Sequence, residues 1–161
     1  MAIEKLTNAN FTCDAFASAD NARCVKFYSK VACPKTSGIN AFLQDWTADF
    51  TLCCPPVKLI PEVVQHIRSQ PCQGVLLLPR WPVASIWPLI TQDGSHFLEI
   101  FFQYHEFFPV YQKGKFCDQN LFDGRILHFS LLALTFNSTI PTSPTPSSRT
   151  CIHKGCKVCS K

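Results

Sequence analysis

Short apolar runs alternate with polar turns along the first half of the chain, and this pattern predicts strands. One run ends at Asp14, and two others span residues 50–54 and 74–79. Between the last two runs, residues 57–69 carry apolar positions at three- and four-residue steps, which predicts an amphipathic helix. A strand, a helix and a strand in succession form a right-handed parallel crossover, so we expect the two flanking strands to lie parallel.

The rest of the pattern predicts smaller elements around this unit. Residues 1–9 read as a polar lead-in. Further apolar segments predict more strands, a helical turn and a short helix. These segments are 24–29 (a strand), 40–45 (a helical turn), 83–90 (a short helix), 96–108 (a strand) and 124–136 (one or two strands). Strands that alternate with helices predict an α/β fold.

Length and composition fit one globular domain followed by a tail. The chain has 161 residues, of which 47% are hydrophobic and 16% charged, so it can bury a core. Residues 137–149 are rich in Pro, Ser and Thr and contain one isoleucine, too little apolar surface to offset the entropy of ordering them. We expect an α/β domain over residues 1–136, a linker over 137–149 and a disordered, basic, Cys/His-rich tail over 150–161.

Cysteine usage and charge bear on the compartment and the partners. The ten cysteines are scattered and the first twenty residues lack the apolar segment of a secretory signal, so we expect reduced thiols. No run of about 18 apolar residues is present. We therefore expect an intracellular protein, nuclear or cytoplasmic, with no membrane partner. The net charge of +4 is a mild preference for polyanions such as DNA.

The stretch Cys53-Cys54-Pro55-Pro56 lies where the second strand meets the helix. Two prolines cannot donate backbone hydrogen bonds, so they end the sheet ladder at one defined point. Ligands of open α/β sheets bind at the carboxyl ends of the strands. This strand tip is therefore a candidate binding platform.

Five pieces of the chain, in one order, resemble a known family. They are CDAFASADNARC, AFLQDW, CCPP, VLLLPRW and FDGRILHF, which lie within residues 11–136. The set is similar to the phage-type adenine methyltransferase domain, which also occurs in the polyproteins of DIRS-type tyrosine-recombinase retrotransposons, beside reverse transcriptase and ribonuclease H. The retrotransposon version is the closer one. The resemblance implies a fragment of such a polyprotein, with DNA and the remaining modules as its partners.

The resemblance further implies a small or truncated Rossmann-like methyltransferase sheet that binds S-adenosylmethionine at its strand ends. Asp14, Ala17 and Ser18 match the family residues that lie by the cofactor at the end of the first strand. Asp45 and Trp46 match an acidic-aromatic pair before the next strand, and the resemblance makes Asp45 a further candidate cofactor-binding residue. On the residues alone, Asp14 fits a turn residue after a strand equally well, and Trp46 fits a core residue better.

The catalytic motif of the family is not reproduced in this chain. Where the family has Asp or Asn, Pro-Pro and an aromatic residue, this chain has Cys54, Pro55, Pro56 and Val57. The amino group of adenine is a poor nucleophile, because its lone pair is delocalised into the ring. Its methylation needs a hydrogen-bond acceptor and an aromatic face for the flipped base. A thiol is a weak acceptor and valine has no ring. A nucleophilic Cys54 is an alternative, although no activating base is identifiable.

Two further clusters are candidate binding residues. Arg80 and Trp81 follow the strand that neighbours the Pro-Pro tip, where they could meet a nucleic-acid phosphate or could be solvated. In the tail, three thiols and one imidazole supply the four ligands of a zinc site, namely Cys151, His153, Cys156 and Cys159. Because the first two ligands are only two positions apart, we expect zinc binding to be weak or absent.

Three hypotheses of function follow. The first is a retrotransposon-derived methyltransferase-like domain that has lost catalysis and persists as a structural or nucleic-acid-binding module, with S-adenosylmethionine still able to bind. The second is an active S-adenosylmethionine-dependent DNA adenine methyltransferase with an atypical CPPV motif. The third is a zinc-dependent interaction protein that acts through its tail. The missing acceptor and the missing ring favour the first.

Overall fold

The computed structural model describes residues 2–82, 84–107, 111–112, 115–116 and 129–139. Three helices lie in these ranges: α1 (Ala2–Thr7), α2 (Ile60–Ser69) and α3 (Trp87–Ile90), with 3-10 turns at Ala41–Leu43 and Val57–Leu59. The strands are β1 (Cys13–Asp14), β2 (Lys26–Ser29), β3 (Gly38–Ile39), β4 (Phe50–Cys53), β5 (Gln73–Pro79), β6 (Phe101–Phe107), β7 (Tyr111–Gln112), β8 (Lys115–Phe116) and β9 (Leu131–Asn137).

Seven of the strands form one mixed sheet in the order β3-β2-β1-β4-β5-β9-β6. The first five strands of that order pair in parallel. β9 lies antiparallel to both β5 and β6. β7 and β8 form a separate antiparallel pair. The fold is therefore α/β, with few helices for the size of its sheet.

The predicted strand-helix-strand unit is confirmed. β4 and β5 pair in parallel, with Leu52 opposite Val75. The helix between them begins as a 3-10 turn and continues as α2, with Pro61 in its first turn, where a missing amide costs little. The predicted helix has five apolar positions, of which Val57 lies in the 3-10 turn. The other four form the buried side of α2: Ile60, Val63, Val64 and Ile67.

The core lies on both faces of the sheet. Alternate residues of a strand point to opposite faces, so Leu76 and Leu78 of β5 pack with α2 and α3, while Val75 and Leu77 pack on the other side with Ile3. The lead-in predicted over residues 1–9 is wrong. Ala2–Thr7 form α1, because Ile3 is fully buried against the sheet and holds the segment there.

The far edge of the sheet differs from the prediction in its boundaries. The strand predicted over 96–108 begins only at Phe101, because the preceding residues form a turn. Asp93 shapes that turn by accepting hydrogen bonds from the backbone amides of Ser95 and His96. Of the segment predicted over 124–136, residues 124–128 lie outside the described ranges, and the rest is the loop before β9 and most of that strand.

The described chain ends in contact with the domain. Ser138, which the sequence assigns to the linker, donates its hydroxyl to the carbonyl of Gln70 at 2.6 Å and accepts the amide of Cys72 at 2.9 Å. These bonds join the end of β9 to the segment between α2 and β5. Residues 140–161, with the rest of the predicted linker and the whole tail, lie outside the described ranges.

Polar side chains hold the amino ends of the short strands together. The Asp49 carboxylate accepts the Lys26 ammonium at 2.6 Å and the Thr12 hydroxyl at 3.0 Å. The Thr12 hydroxyl in turn accepts the backbone amide of Phe50 at 3.0 Å. Because β1 has only two residues, its own backbone hydrogen bonds cannot fix its register against the neighbouring strands. These side-chain bonds fix that register instead.

Candidate functional site

The candidate site lies where the order of the strands reverses. The chain runs outward from β1 to β2 and β3, then returns to the other side of β1 to form β4 and β5. The carboxyl ends of β1 and β4 therefore meet at a crevice, which is where open α/β sheets bind ligands. Asp14 ends β1 opposite Leu52 of β4, and Cys53 and Cys54 follow one and two residues later.

Asp14 organises the loop that follows β1. Only 4% of the residue is exposed. Its carboxylate accepts the backbone amide of Arg23 at 3.1 Å and also the amide of Phe16. Burial raises the pKa of the Asp14 carboxyl, and these amides and the Arg23 charge oppose the rise. Asp14 therefore joins both ends of the loop between β1 and β2, a structural task that the sequence had offered as the alternative to a cofactor role.

Ala17 and Ser18 lie in the same loop, half-buried. The amide of Ala17 donates to the carbonyl of Tyr28 at 3.0 Å, which fixes the loop against β2. The amide of Ser18 donates to the side chain of Asn21 at 2.7 Å, which closes a turn. The structure thus brings Asp14, Ala17 and Ser18 together at one crevice.

Cys54 lies on the other side of this crevice. Burial, with a smaller effect of the Asp14 charge, raises the pKa of its thiol to about 12, while Arg23 opposes the rise. The thiol is therefore protonated at neutral pH, which weighs against the nucleophile alternative. Next to it, Pro55 is buried.

The two residues after Pro55 begin the 3-10 turn. Pro56 caps it, because its carbonyl accepts the amide of Leu59 at 2.9 Å. Val57 is 36% exposed and so faces solvent beside the crevice. The turn therefore presents a small aliphatic side chain at the position where the family has an aromatic ring.

Asp45 lies in the segment before β4, where its carbonyl accepts the Tyr28 hydroxyl at 3.3 Å. It is exposed, and its carboxylate accepts the amide of Thr47 at 2.8 Å. The Thr47 side-chain hydroxyl, followed by that amide bond, lowers the pKa of the Asp45 carboxyl. Its neighbour Trp46 is fully buried and donates its indole N–H to the carbonyl of Ala41 at 3.0 Å, so it is a core residue. The contacts that the structure gives Asp45 do not join it to the Asp14 loop.

Arg80 and Trp81 follow β5 and take part in a second arrangement. Arg80 Nε lies 3.2 Å from Glu106 Oε2, and the guanidinium carbon lies 5.9 Å from the centre of the Trp87 ring. Ser130 donates to the other oxygen of Glu106 at 2.7 Å. Trp81 packs instead on Phe129, with 5.0 Å between the ring centres.

A groove of about 440 Å³ extends from Arg80 across the face of the outer strands. Its walls include rings from α3, from the turn before β6 and from β6 itself: Trp87, Phe97, Phe101, Phe102 and Tyr104. Of the polar lining residues, Arg80 was predicted from the sequence as a binding residue and Glu106 was not. Alternating exposed aromatics in the segment FFQYHEF are the signal that could have indicated the groove.

The predicted zinc ligands Cys151, His153, Cys156 and Cys159 lie outside the described residues. Among the residues that are described, no group of three or more His, Cys, Asp or Glu side chains could hold a metal ion. In the same part of the chain no helix has the length and apolar character needed to cross a bilayer.

Comparison of the chain with family models, with curated proteins and with solved structures gives no match. The function of this chain is therefore inferred from its geometry and from the residues that carry the resemblance.

Proposed function

We propose that this chain is a retrotransposon-derived, methyltransferase-like domain that has lost adenine methylation and serves as a structural or nucleic-acid-binding module. The observation that carries the proposal is the composition of the crevice. Asp14, which matches the family together with Ala17 and Ser18, ends the strand that pairs with β4. β4 leads directly into the Cys54-Pro55-Pro56-Val57 turn, in which the acceptor and the aromatic ring are replaced.

The topology of the sheet supports the proposed family. The order β3-β2-β1-β4-β5 is that of a Rossmann sheet, with the reversal between β1 and β4. β9 and its antiparallel pairs make the outer side of the sheet mixed, as in many doubly wound folds. The short connections between β1, β2 and β3, without α-helices, fit a reduced version of it.

The chemistry of the crevice supports loss of methyl transfer. The amino group of adenine needs an oxygen that accepts its hydrogens while the nitrogen attacks the methyl group. The Cys54 thiol is protonated and is a weak acceptor. By analogy with the removal of one preorganised hydrogen-bonding group, this costs about 100- to 1000-fold in rate. Loss of base stacking at Val57 removes about 1 to 3 kcal/mol of substrate binding as well.

The test is transfer of a labelled methyl group from S-adenosylmethionine to unmethylated DNA. We expect no transfer by the unchanged chain and measurable transfer by the double variant Cys54→Asn/Val57→Tyr, which restores both missing groups. The matched control is Cys33→Asn/Val31→Tyr, the same two changes in the loop after β2, which should remain silent. Transfer by the unchanged chain would contradict the proposal and favour the atypical active enzyme.

Binding of S-adenosylmethionine is measured separately by calorimetry. We expect binding by the unchanged chain and its loss in Asp14→Ala, because the loop after β1 is organised by that carboxylate. Circular dichroism establishes that the variant remains folded. If neither the unchanged chain nor the folded Asp14→Ala variant binds S-adenosylmethionine, the proposal loses its methyltransferase ancestry.

A further inference from the structure

The groove beside Arg80 is separate from the crevice between β1 and β4, and it contains unusually exposed aromatic rings. Phe102 and Tyr104 of β6 are 56% and 60% exposed. Both line the groove, although a β-bulge between Phe101 and Gln103 interrupts the alternation of the strand there. A surface that leaves large rings in water at one place is a candidate binding site.

The rings form a connected wall. Tyr104 packs on Phe97 with 5.0 Å between ring centres, and Phe97 packs on Trp87 at 5.9 Å with the planes tilted by 65°. Tilted packing holds each ring in place while leaving part of its face open. The wall is therefore rigid enough to receive a flat ligand without reorganising first.

One end of the wall carries a positioned cation. Glu106 engages Nε of Arg80, and Ser130 fixes the other oxygen of the same carboxylate. The side chain of Arg80 also lies over the Trp87 ring. The Arg80 side chain is 43% exposed and lines the groove, and guanidinium nitrogens match phosphate oxygens in geometry and charge.

We propose that this groove binds single-stranded nucleic acid, with an unpaired base stacked on Tyr104 and Phe97 and its phosphate on Arg80. A cavity of about 440 Å³ lies in the range of ordinary ligand sites and can hold one nucleotide. An aromatic platform beside a basic group is the usual composition of single-strand sites. A duplex does not fit, because its bases are already stacked and paired. The inference deepens the nucleic-acid-binding part of the proposed function and rests on it.

The test measures the affinity of the full chain for a fluorescently labelled 12-nucleotide DNA strand, and for the same sequence as a duplex, by anisotropy. We expect the single strand to bind more tightly. Tyr104→Ala should weaken single-strand binding by about 5- to 150-fold, as the loss of one stacked base does. Tyr104→Phe keeps the ring and should bind as the unchanged chain does. Leu43→Ala, an exposed apolar change elsewhere on the surface, is the matched control.

The cationic end has its own readout. Arg80→Gln should lower the slope of log affinity against log salt concentration by about 0.7, the effect of one lost phosphate contact with a single strand. The exposed Arg68 of α2 provides the control Arg68→Gln, which should leave that slope unchanged. Thermal unfolding of each variant separates lost binding from lost folding.

Unchanged affinity in a folded Tyr104→Ala variant, preference for the duplex, or no binding at all would each overturn the assignment. These outcomes are distinguishable from failure of the proposed function. Methyl transfer is measured at the crevice of Asp14 and Cys54, and its silence or presence does not depend on the groove.

Discussion

The sheet consists of two halves that are stabilised in different ways. The long-strand half contains the seven-residue strands β5, β9 and β6 together with β4, α2 and α3, and it packs aliphatic side chains such as Leu76, Leu78, Leu132 and Leu134. The short-strand half contains β1, β2 and β3 with their loops, residues 11–49. Its strands have two to four residues, so backbone ladders contribute little there.

Polar side chains replace the missing ladders in the short-strand half. Asp14 joins the ends of one loop, and Asp49 joins the strand starts through Thr12 and Lys26. In the next loop the Ser29 hydroxyl donates to the Thr36 hydroxyl at 2.8 Å. The half that contains the Asp14 loop therefore depends on individual hydrogen bonds, while the other half depends on packing. Substitutions should therefore act differently in the two.

The largest effect is expected in the long-strand half, for Gly74→Ala. A Cβ on this residue of β5 would lie 2.0 Å from the carbonyl oxygen of Thr51 and 2.9 Å from the Phe136 ring. Neither neighbour can move without opening the β4–β5 ladder or the core. We expect a loss of at least about 3 kcal/mol in the free energy of unfolding, measured by urea denaturation.

Gly94→Ala is the control for that change. Gly94 has a φ of +82°, but open space surrounds the added Cβ. The cost should be only about 1 kcal/mol, from backbone strain alone. Equal losses in the two variants would contradict the close approach of β4 and β5 at Gly74.

The second prediction tests the short-strand half through Asp49→Ala. The change removes the acceptor of the Thr12 hydroxyl and of the half-exposed Lys26. We expect a loss of about 1 to 2 kcal/mol, less than a buried ion pair would cost, because water screens Lys26. Hydrogen exchange should show lost protection in β1 and β2 while β5 and β9 stay protected.

The matched control is Asp45→Ala, which removes an exposed turn carboxylate four residues earlier. It should cost less than about 0.5 kcal/mol. Uniform loss of protection across the whole sheet in Asp49→Ala would show that the two halves are one cooperative unit and would break the comparison.

The difference between the halves also explains which elements the sequence could predict. The unit from Phe50 to Pro79 follows from local periodicity, because its strands are continuous apolar runs and its helix has a regular buried side. α1 could not be predicted, since it depends on the tertiary contact of Ile3 with the sheet. The place of β9 between β5 and β6 is likewise a pairing between distant segments, which no local pattern encodes.

The candidate sites show the same limit. The end of β1 at Asp14 and the turn at Cys54 could be located from the sequence, because each terminates an apolar run. Their proximity depends on the return of the chain past β1. The groove was harder to foresee, because Arg80, Glu106 and Ser130 come from three separate segments that the sheet brings together.

The third prediction concerns the pH dependence contributed by Asp14. Burial raises its folded-state pKa above the ordinary value of 3.8, so the folded protein binds this proton more readily than the unfolded chain does. Stability from this group therefore falls as pH rises from about 4 through the raised pKa. Asp14→Asn keeps one side-chain acceptor for the loop amides and should abolish that decline. The difference in unfolding free energy between this variant and the unchanged chain should therefore shift in favour of the variant as pH rises from 4 to 7.

Asp45→Asn is the control with the opposite sign. The pKa of Asp45 is lowered, so its contribution is present above pH 3.8 and is lost as pH falls further. The measurement is urea denaturation across pH 3 to 8. If Asp14→Asn changes the pH profile in the same direction as Asp45→Asn, the assignment of a buried carboxylate to the loop after β1 is wrong.

The smallest effect is expected at His66, which links the two halves. The imidazole belongs to α2, yet it packs on Trp46 with 4.3 Å between ring centres and on Phe42 at 5.8 Å. Burial lowers the pKa of His66 below 6.5, so the folded state disfavours its charged form. The stability it contributes is present above pH 6.5 and is lost as pH falls through the lowered pKa.

His66→Phe should therefore flatten the loss of stability between pH 7.5 and pH 5. The effect should be small, because the ring is only half-buried and because the Gln70 amide beside its Nε2 can turn over so that its oxygen accepts a hydrogen bond from the protonated ring. Phe42→Leu perturbs the same ring cluster without removing a titrating group, so it should lower stability equally at both pH values. If Phe42→Leu changes the dependence of stability on pH and His66→Phe does not, a group other than His66 causes the acid sensitivity at this contact between the two halves. The pH dependence of stability and the hydrogen exchange of Trp46 and its neighbours are then compared. Together they show whether protonation separates the two halves or unfolds them as one unit.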